Sequence, residues 1–268
     1  MKFIHLTDPH VTATGELFNL DVDARLRAAV QSINSRHADA ELVMITGDIT
    51  HWGEPEAYRR VCEALGALTM PWYPLIGNHD VRDAFLAGLP NVTADDAGKV
   101  SFRLDTSAGP FLALDTLTDG THAGQIDERQ LAWLDDELAA VESAFLFMHH
   151  PPVRSGINGM DRIPLLNPDD LAAVLDRHPG KVRHIFFGHM HRAFHGSWRG
   201  IPFSTVKATA HQVAPLIDGE SPLTTSCELP AYAVVLVGDA HVLVHDISYM
   251  EEETEFTYDR DSGRTAAD

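Results

Sequence analysis

The sequence predicts an α/β fold, and three observations carry that prediction. Short β-type runs alternate with helical patterns through the first two thirds of the chain, several of these runs are continuously apolar, and polar clusters follow five of them. The first element is a strand over 2–7. Residues 21–37 place Val22, Leu26, Val30 and Ile33 at intervals of one helical turn, an amphipathic helix. The apolar run 42–46 has strand length, and Pro55 then opens a helix carrying Tyr58, Val61, Cys62, Leu65 and Leu68. A strand over 72–76 follows. Residues 100–104 and 111–115 flank the turn-like Thr106-Ser107-Ala108-Gly109-Pro110 and read as a hairpin.

Segment 127–141 sets Leu131, Leu134, Leu138 and Val141 on one helical face, 144–148 is a buried strand, 168–178 is helical and 182–187 is again a strand. Residues 195–198 pair with 202–206 across Arg199-Gly200, and 232–237 with 242–247 across Gly238-Asp239. Between these hairpins, 207–230 has prolines and weak periodicity, so it reads as an irregular cap or dimerisation insertion. The catalytic domain is therefore expected over 1–250. From 251 to 268 acidic residues outnumber basic ones, which reads as a solvated, partly disordered tail.

The 268 residues suit one large domain, and 44% hydrophobic with 22% charged residues is ordinary globular composition. The formal net charge of −19 argues against nucleic-acid binding, because affinity for phosphate backbones comes from Lys and Arg releasing counterions. Cys62 and Cys227 offer neither a disulfide framework nor a structural zinc spacing. No apolar stretch is long enough to span a bilayer. These features lead to the expectation of a soluble cytoplasmic protein without a membrane partner. The composition's outlier is its 16 histidines.

The five clusters are Asp8-Pro9-His10, Gly47-Asp48, Gly77-Asn78-His79-Asp80, His149-His150 and Gly188-His189-Met190-His191. Strand carboxyl ends share one edge of an α/β sheet, so all five can converge there. Alone, each has a plainer explanation, such as a turn or a strand exit. Together they aim many polar side chains at one place, and such groups are costly to bury unless they share a ligand such as a metal. Oxygen donors Asp8, Asp48 and Asn78 with nitrogen donors His10, His149, His189 and His191 are too many for one four-coordinate ion. Without thiolate, the set suits Mn, Fe or Zn. Two ions bridged by one carboxylate and a hydroxide would use every donor and carry about +1, a sign that attracts phosphate esters despite the acidic surface.

In this order, DxH, GD, GNHD, HH and GHxH resemble the calcineurin-like metallophosphoesterase superfamily, over roughly residues 1 to 249. The length, His149-His150-Pro151-Pro152 and the terminal GHMH resemble its class III cyclic nucleotide phosphodiesterases and related glycerophosphodiesterases. The resemblance implies a four-layer αββα sandwich of two mixed sheets. It implies one metal on Asp8, His10, Asp48 and His191 and a second on Asp48, Asn78, His149 and His189, with Asp48 bridging. It casts His79 as the residue that touches the scissile phosphate and assists the leaving alkoxide. Asp80 would orient that imidazole or be a solvated turn carboxylate, and His150 would stand behind the ligands.

The expected activity is dinuclear metal-dependent hydrolysis of small phosphodiesters, such as 3′,5′-cyclic nucleotides or glycerophosphodiesters. A phosphomonoesterase acting on nucleotides or phosphoproteins is the enzymatic alternative, and a non-catalytic metal-binding scaffold the alternative from another class. Protein phosphatases of the superfamily follow the second motif with an aspartate and an arginine that grip phosphate. Here Gly47-Asp48 continues Ile49-Thr50-His51-Trp52-Gly53, which favours the diester branch. Phe18, Asn19 and 211–229 are pocket-wall candidates. His51, Trp52 and His122 stand between packing and substrate contact, while His5, His37, His178, His184, His195, His241 and His245 read as structural or surface residues. The insertion and late hairpin would serve a homodimer or higher homo-oligomer.

Overall fold

A computed structural model describes residues 1–90, 92–217 and 222–250. The expected acidic tail lies outside the described residues, as does 218–221 of the expected insertion. The first half contains β1 (Lys2–Leu6), β2 (Glu16–Leu17), β3 (Leu20–Asp21), α1 (Val22–Arg36), β4 (Val43–Thr46), α2 (Pro55–Leu65), β5 (Trp72–Leu75), α3 (Arg82–Gly88), β6 (Phe102–Thr106) and β7 (Gly109–Leu114). The second half contains α4 (Glu128–Ala140), β8 (Ala144–Met148), α5 (Pro168–Arg177), β9 (Val182–Phe187), β10 (Phe194–Trp198), β11 (Ile201–Thr205), β12 (Gln212–Val213), β13 (Thr225–Ser226), β14 (Ala231–Val237) and β15 (Val242–Ser248).

One sheet has the order β15-β14-β1-β4-β5 and the other β10-β11-β9-β8-β7-β6. Strands β1, β4 and β5 run parallel, as do β7, β8, β9 and β11, while β14, β15, β6 and β10 pair antiparallel with their neighbours. The parallel strands β4 and β8 are buried at every residue, which is why they read as unbroken apolar runs. Period-two alternation assigns each face. Phe3, Phe111, Phe145, Phe147 and Phe186 pack between the sheets, with Phe3 centroids 5.0 Å from Phe111 and 5.4 Å from Phe186. Ile4, Leu6, Val43 and Ile45 turn outward onto α1 and α2, and Leu146, Met148, Ile185 and Phe187 onto α4 and α5. The result is the αββα sandwich.

Local chemistry sets the helix ends. Asp21 caps α1 by accepting from the Ala24 amide at 2.7 Å, and Asp127 with Gln130 forms a reciprocal capping box on α4. Pro55 and Pro168 occupy the first turns of α2 and α5, where the missing N–H costs nothing.

Two histidines interrupt the apolar layer between the sheets. His184 stacks on Phe186 at 4.3 Å and His5 meets the same ring edge-on at 5.5 Å. Burial, reinforced by His184, pushes His5 down to about 3; burial with His195 nearby pushes His184 down to about 4. Both stay neutral in the folded protein, whereas in the unfolded chain they titrate near 6.5. Below that value the unfolded state takes up protons that the native state refuses. Stability is therefore full above pH 6.5 and falls toward pH 4, by about 1.4 kcal/mol per pH unit for each histidine. Urea unfolding of metal-stripped protein at pH 7 and pH 5 should show this slope, and His184→Gln should remove its share. An unchanged slope in that variant would reject the assignment.

Candidate metal centre

The parallel strands of both sheets discharge their carboxyl ends at one edge, and within each sheet neighbouring exit loops are tied together. The Asp8 amide donates to the Gly47 carbonyl at 3.2 Å, the His10 amide to the Asp48 carbonyl at 2.9 Å and the Gly188 amide to the His149 carbonyl at 3.1 Å. Gly47 (φ +95°) permits this approach, since a Cβ there would stand 2.3 Å from His149 Nδ1. Asp8, His10, Asp48, His189 and His191 all have left-handed backbones, with φ between 45° and 68°. Such conformations cost non-glycine residues of order 1–3 kcal/mol each and gather where a site is over-determined by its surroundings.

Asp48 lies at the middle, buried, with Oδ2 3.3 Å from His10 Nε2 and Oδ1 3.4 Å from His149 Nε2. On one side, His191 Nε2 is 2.9 Å from His10 Nε2 and 3.6 Å from Asp8 Oδ1. Donor atoms of Asp8, His10, Asp48 and His191 all fall within 4.8 Å of one another. On the other side, Asn78 Oδ1 is 3.1 Å from His149 Nε2, and the His149 and His189 rings are 5.1 Å apart. All seven expected donors are thus brought to one edge.

Outer hydrogen bonds fix which atom of each side chain faces inward. His149 Nδ1 donates to the Thr46 carbonyl at 2.7 Å, His191 Nδ1 to the His211 carbonyl at 2.8 Å and His189 Nε2 to the Ile163 carbonyl at 2.9 Å. The remaining nitrogen of each ring offers a lone pair whenever the ring is neutral. The Asn78 amide donates to His122 Nδ1 at 3.0 Å, which turns its oxygen toward His149. Inward-facing carboxylate oxygens, imidazole lone pairs and an amide oxygen make an excess of acceptors, the donor chemistry of a site for hard-to-borderline cations.

The electrostatics agree. Burial pushes the Asp8 carboxyl up, whereas His149 and then His79 hold Asp48 well below the carboxylate range against the effect of burial. Burial would depress His149 as well, but the Asp48 charge overrides it and raises the imidazole to about 9. Two buried carboxylates call for positive charge, and without a metal the chain supplies a proton. His10 and His189 are held well below the usual histidine range by burial, the neutral form that ligation requires. The residues present fit a pair of cations.

His79 is half-buried beside the cluster. Its backbone amide donates to Asp48 Oδ1 at 2.8 Å, its Nδ1 donates to the His51 carbonyl at 3.0 Å, and its ring stacks on His51 at 4.6 Å. The ring lines a cavity of about 170 Å³ and an adjoining cleft of about 330 Å³. His150 reaches His149 and His189, yet its Nδ1 pairs with the Thr116 hydroxyl at 2.8 Å and its Nε2 with the His122 carbonyl at 3.0 Å.

Asp80 departs from expectation. It neither orients the His79 ring nor sits in solvent; its buried carboxylate accepts from the Ile49, Thr50 and Gly77 amides, each at 3.0 Å, and from the Thr50 and Tyr58 hydroxyls. It clamps the loops after β4 and β5 together, while a backbone carbonyl orients His79. Burial and the Asp48 charge push its carboxyl up to about 6. Asp80→Ala strands three buried amides and should destabilise the fold by roughly 2–5 kcal/mol in urea unfolding, with turnover falling alongside. Lost turnover at wild-type stability would return Asp80 to the reacting groups.

The cavity wall includes Phe18, His211, Val213, Leu223 and Thr225 from the expected segments, together with Met160 and Ile163, for which the sequence carries no signal. Asn19 does not line it. Phe18 is 51% exposed with φ +51°, its ring 5.0 Å from His211. His51 lines the cavity, with His10 Nδ1 2.9 Å from its own Nδ1; Trp52 lies outside, edge-on to His51. His122 positions Asn78 and lines the adjoining cleft. The sequence reading left it undecided.

Residues 1–193 match the family model of calcineurin-like phosphoesterases. A probable cyclic nucleotide phosphodiesterase of Rhodopseudomonas palustris is 41% identical over 256 residues, covering 93% of each chain. The glycerophosphodiester phosphodiesterase GpdQ of Enterobacter lignolyticus is 32% identical over 80% of this chain and 79% of its own. The 3′,5′-cyclic adenosine monophosphate phosphodiesterase CpdA of Escherichia coli K12 is 26% identical over 80% of this chain and 78% of its own. Among solved structures, a dimetal phosphatase from Danio rerio superposes with a TM-score of 0.71 at 17% identity, over 93% of this chain and 96% of that one, a likeness of fold.

Proposed function

Because the chain belongs to the calcineurin-like phosphoesterase family, we propose that it is a dinuclear metal-dependent phosphodiesterase acting on small phosphodiesters. The observation that carries this reading is the gathering of six further inward-facing donors around Asp48, whose two oxygens face His10 on one side and His149 on the other. One cation would rest on Asp8, His10, Asp48 and His191 and the other on Asp48, Asn78, His149 and His189. Two such ions, Mn, Fe or Zn, would neutralise the phosphoryl oxygens and make a water acidic enough to supply a nucleophile near neutral pH.

The chain's own groups do the rest. His79, anchored through Nδ1 on the His51 carbonyl, presents Nε2 as the proton donor to the departing alkoxide. Buried ligand loops keep the donors fixed before substrate arrives. The segment 207–230 acts as a cap on a catalytic domain of 1–250, contributing His211, Val213, Leu223 and Thr225 to the cavity wall. No helix among the described residues is long and apolar enough to cross a membrane. The free thiols of Cys62 and Cys227 support a cytoplasmic setting.

Charge favours a diester over a monoester. Among the described residues no Lys or Arg lines the metal-side cavity, and Arg82 in the adjoining cleft is taken by the buried Asp115 carboxylate. A phosphomonoester dianion would lack a cationic partner beyond the metals, which a diester monoanion needs less. With Mn, kcat/KM should be higher for bis(p-nitrophenyl) phosphate than for p-nitrophenyl phosphate; the reverse order would establish a monoesterase. The similarity to CpdA and GpdQ directs the next assay to cAMP, 2′,3′-cyclic nucleotides and glycerophosphoethanolamine, one metal at a time.

A further inference from the structure

Behind Asp8, side chains of two strand ends form one directed line of hydrogen bonds. The Thr7 hydroxyl donates to Asp8 Oδ2 at 2.7 Å, the Thr46 hydroxyl donates to Thr7 Oγ1 at 2.8 Å, and His5 Nε2 lies 2.9 Å from Thr46 Oγ1. All four residues are completely buried. A hydroxyl has one hydrogen, and each threonine spends it toward Asp8, so Thr46 Oγ1 accepts from His5. That fixes His5 as the Nε2–H tautomer.

The arrangement is kept against local preference. His5 Nδ1 becomes a buried acceptor without a partner among the described residues, and a leucine in this largely apolar layer would avoid that defect. The exit of β9 also closes tightly over the line: a Cβ on Gly188 would stand 2.2 Å from Thr7 Oγ1 and 2.5 Å from the Thr46 carbonyl. The His189 amide adds a bifurcated bond, 3.1 Å from Oδ2 and 3.2 Å from Oδ1, while Oδ1, which no side-chain hydroxyl holds, faces His191 Nε2 at 3.6 Å.

We propose that His5, Thr46 and Thr7 are positioning residues that grip Asp8 by Oδ2 and thereby present Oδ1 to a cation shared with His10, Asp48 and His191. Hydrogen bonds aligned in series polarise one another, and the line ends on the carboxylate whose backbone is itself left-handed (φ +50°). Removing an outer partner of a ligand typically weakens metal binding by 10–100-fold. The inference rests on the dinuclear reading above.

The test is titration calorimetry of metal-stripped protein with Mn²⁺, alongside the melting temperature of the same metal-free samples. Wild type should take up two ions. Thr7→Val should weaken one of them by roughly 10–100-fold, and His5→Leu should weaken the same ion by less. Thr7→Ser and His5→Gln restore donors at those atoms and should recover near-wild-type affinity. His5→Leu should melt no lower than wild type, because it also deletes the unpaired nitrogen. Wild-type affinity in both Thr7→Val and His5→Leu, or equal weakening in the Ser and Gln variants, would overturn the proposal. If Thr7→Val does not fold, the His5→Leu and His5→Gln pair decides. A wild type that binds no Mn²⁺ would overturn the dinuclear reading, and this proposal with it.

Discussion

Asp48→Asn is expected to lower kcat/KM for bis(p-nitrophenyl) phosphate by on the order of 10³-fold, because it removes several kcal/mol of metal-based charge stabilisation at about 1.36 kcal/mol per decade. It should also reduce bound metal from two ions to one or none. Among the described residues, Asp48 is the side chain in contact with both donor groups, through Oδ2 to His10 and Oδ1 to His149. Asparagine keeps the shape and an oxygen for the His79 amide, yet it removes the negative charge and offers one acceptor where the site uses two. The metal-free variant should unfold at lower urea than wild type yet still cooperatively, since asparagine loses the charge pairing of Asp48 with the His149 imidazole that stands in for a metal. Elemental analysis together with urea unfolding separates lost ligation from lost fold. Two tightly held ions and undiminished turnover in Asp48→Asn would reject the shared-ligand role.

The candidate ligand positions were legible because each sits directly after a buried strand, and parallel pairing brings such exits to one edge whatever the loops do. The apolar runs 42–46 and 144–148 anticipate β4 and β8 because those strands are covered on both faces. Helix α3 escaped notice: only Phe85 of its seven residues is buried, so no periodic stripe exists to read. The ribbons β2–β3 and β12–β13, two residues per strand, are too short for alternation to show. The first hairpin is tighter than expected. Strand β6 runs on to Thr106 and β7 resumes at Gly109, whose φ of +108° turns the chain sooner.

Roles that depend on distant backbone groups were not legible at all. Asp80 adjoins His79 in sequence, but its partners Ile49, Thr50 and Tyr58 come from another loop and helix, and an amide leaves no trace in composition. In sequence His5 is indistinguishable from a core histidine, because its partner Thr46 lies on the neighbouring strand. The inward atoms of His149, His189 and His191 are likewise chosen by the carbonyls of Thr46, Ile163 and His211, which any residue type would provide.

His79→Ala should lower kcat by roughly 10²–10⁴-fold for diesters with an alkyl leaving group, the range that one positioned proton donor contributes. For bis(p-nitrophenyl) phosphate the loss should be much smaller, because nitrophenolate departs as a stable anion and gains little from a proton. Metal content should stay at the wild-type level. The reason is structural: His79 holds Asp48 through its backbone amide at 2.8 Å, a bond that alanine keeps, while the ring, edge-on to His10 at 4.7 Å, is anchored through Nδ1 on the His51 carbonyl. The two substrates therefore separate two jobs that a single rate would confuse. Equal losses on both would make the imidazole a binding group for the phosphate rather than a proton donor, and loss of metal would place it among the ligands.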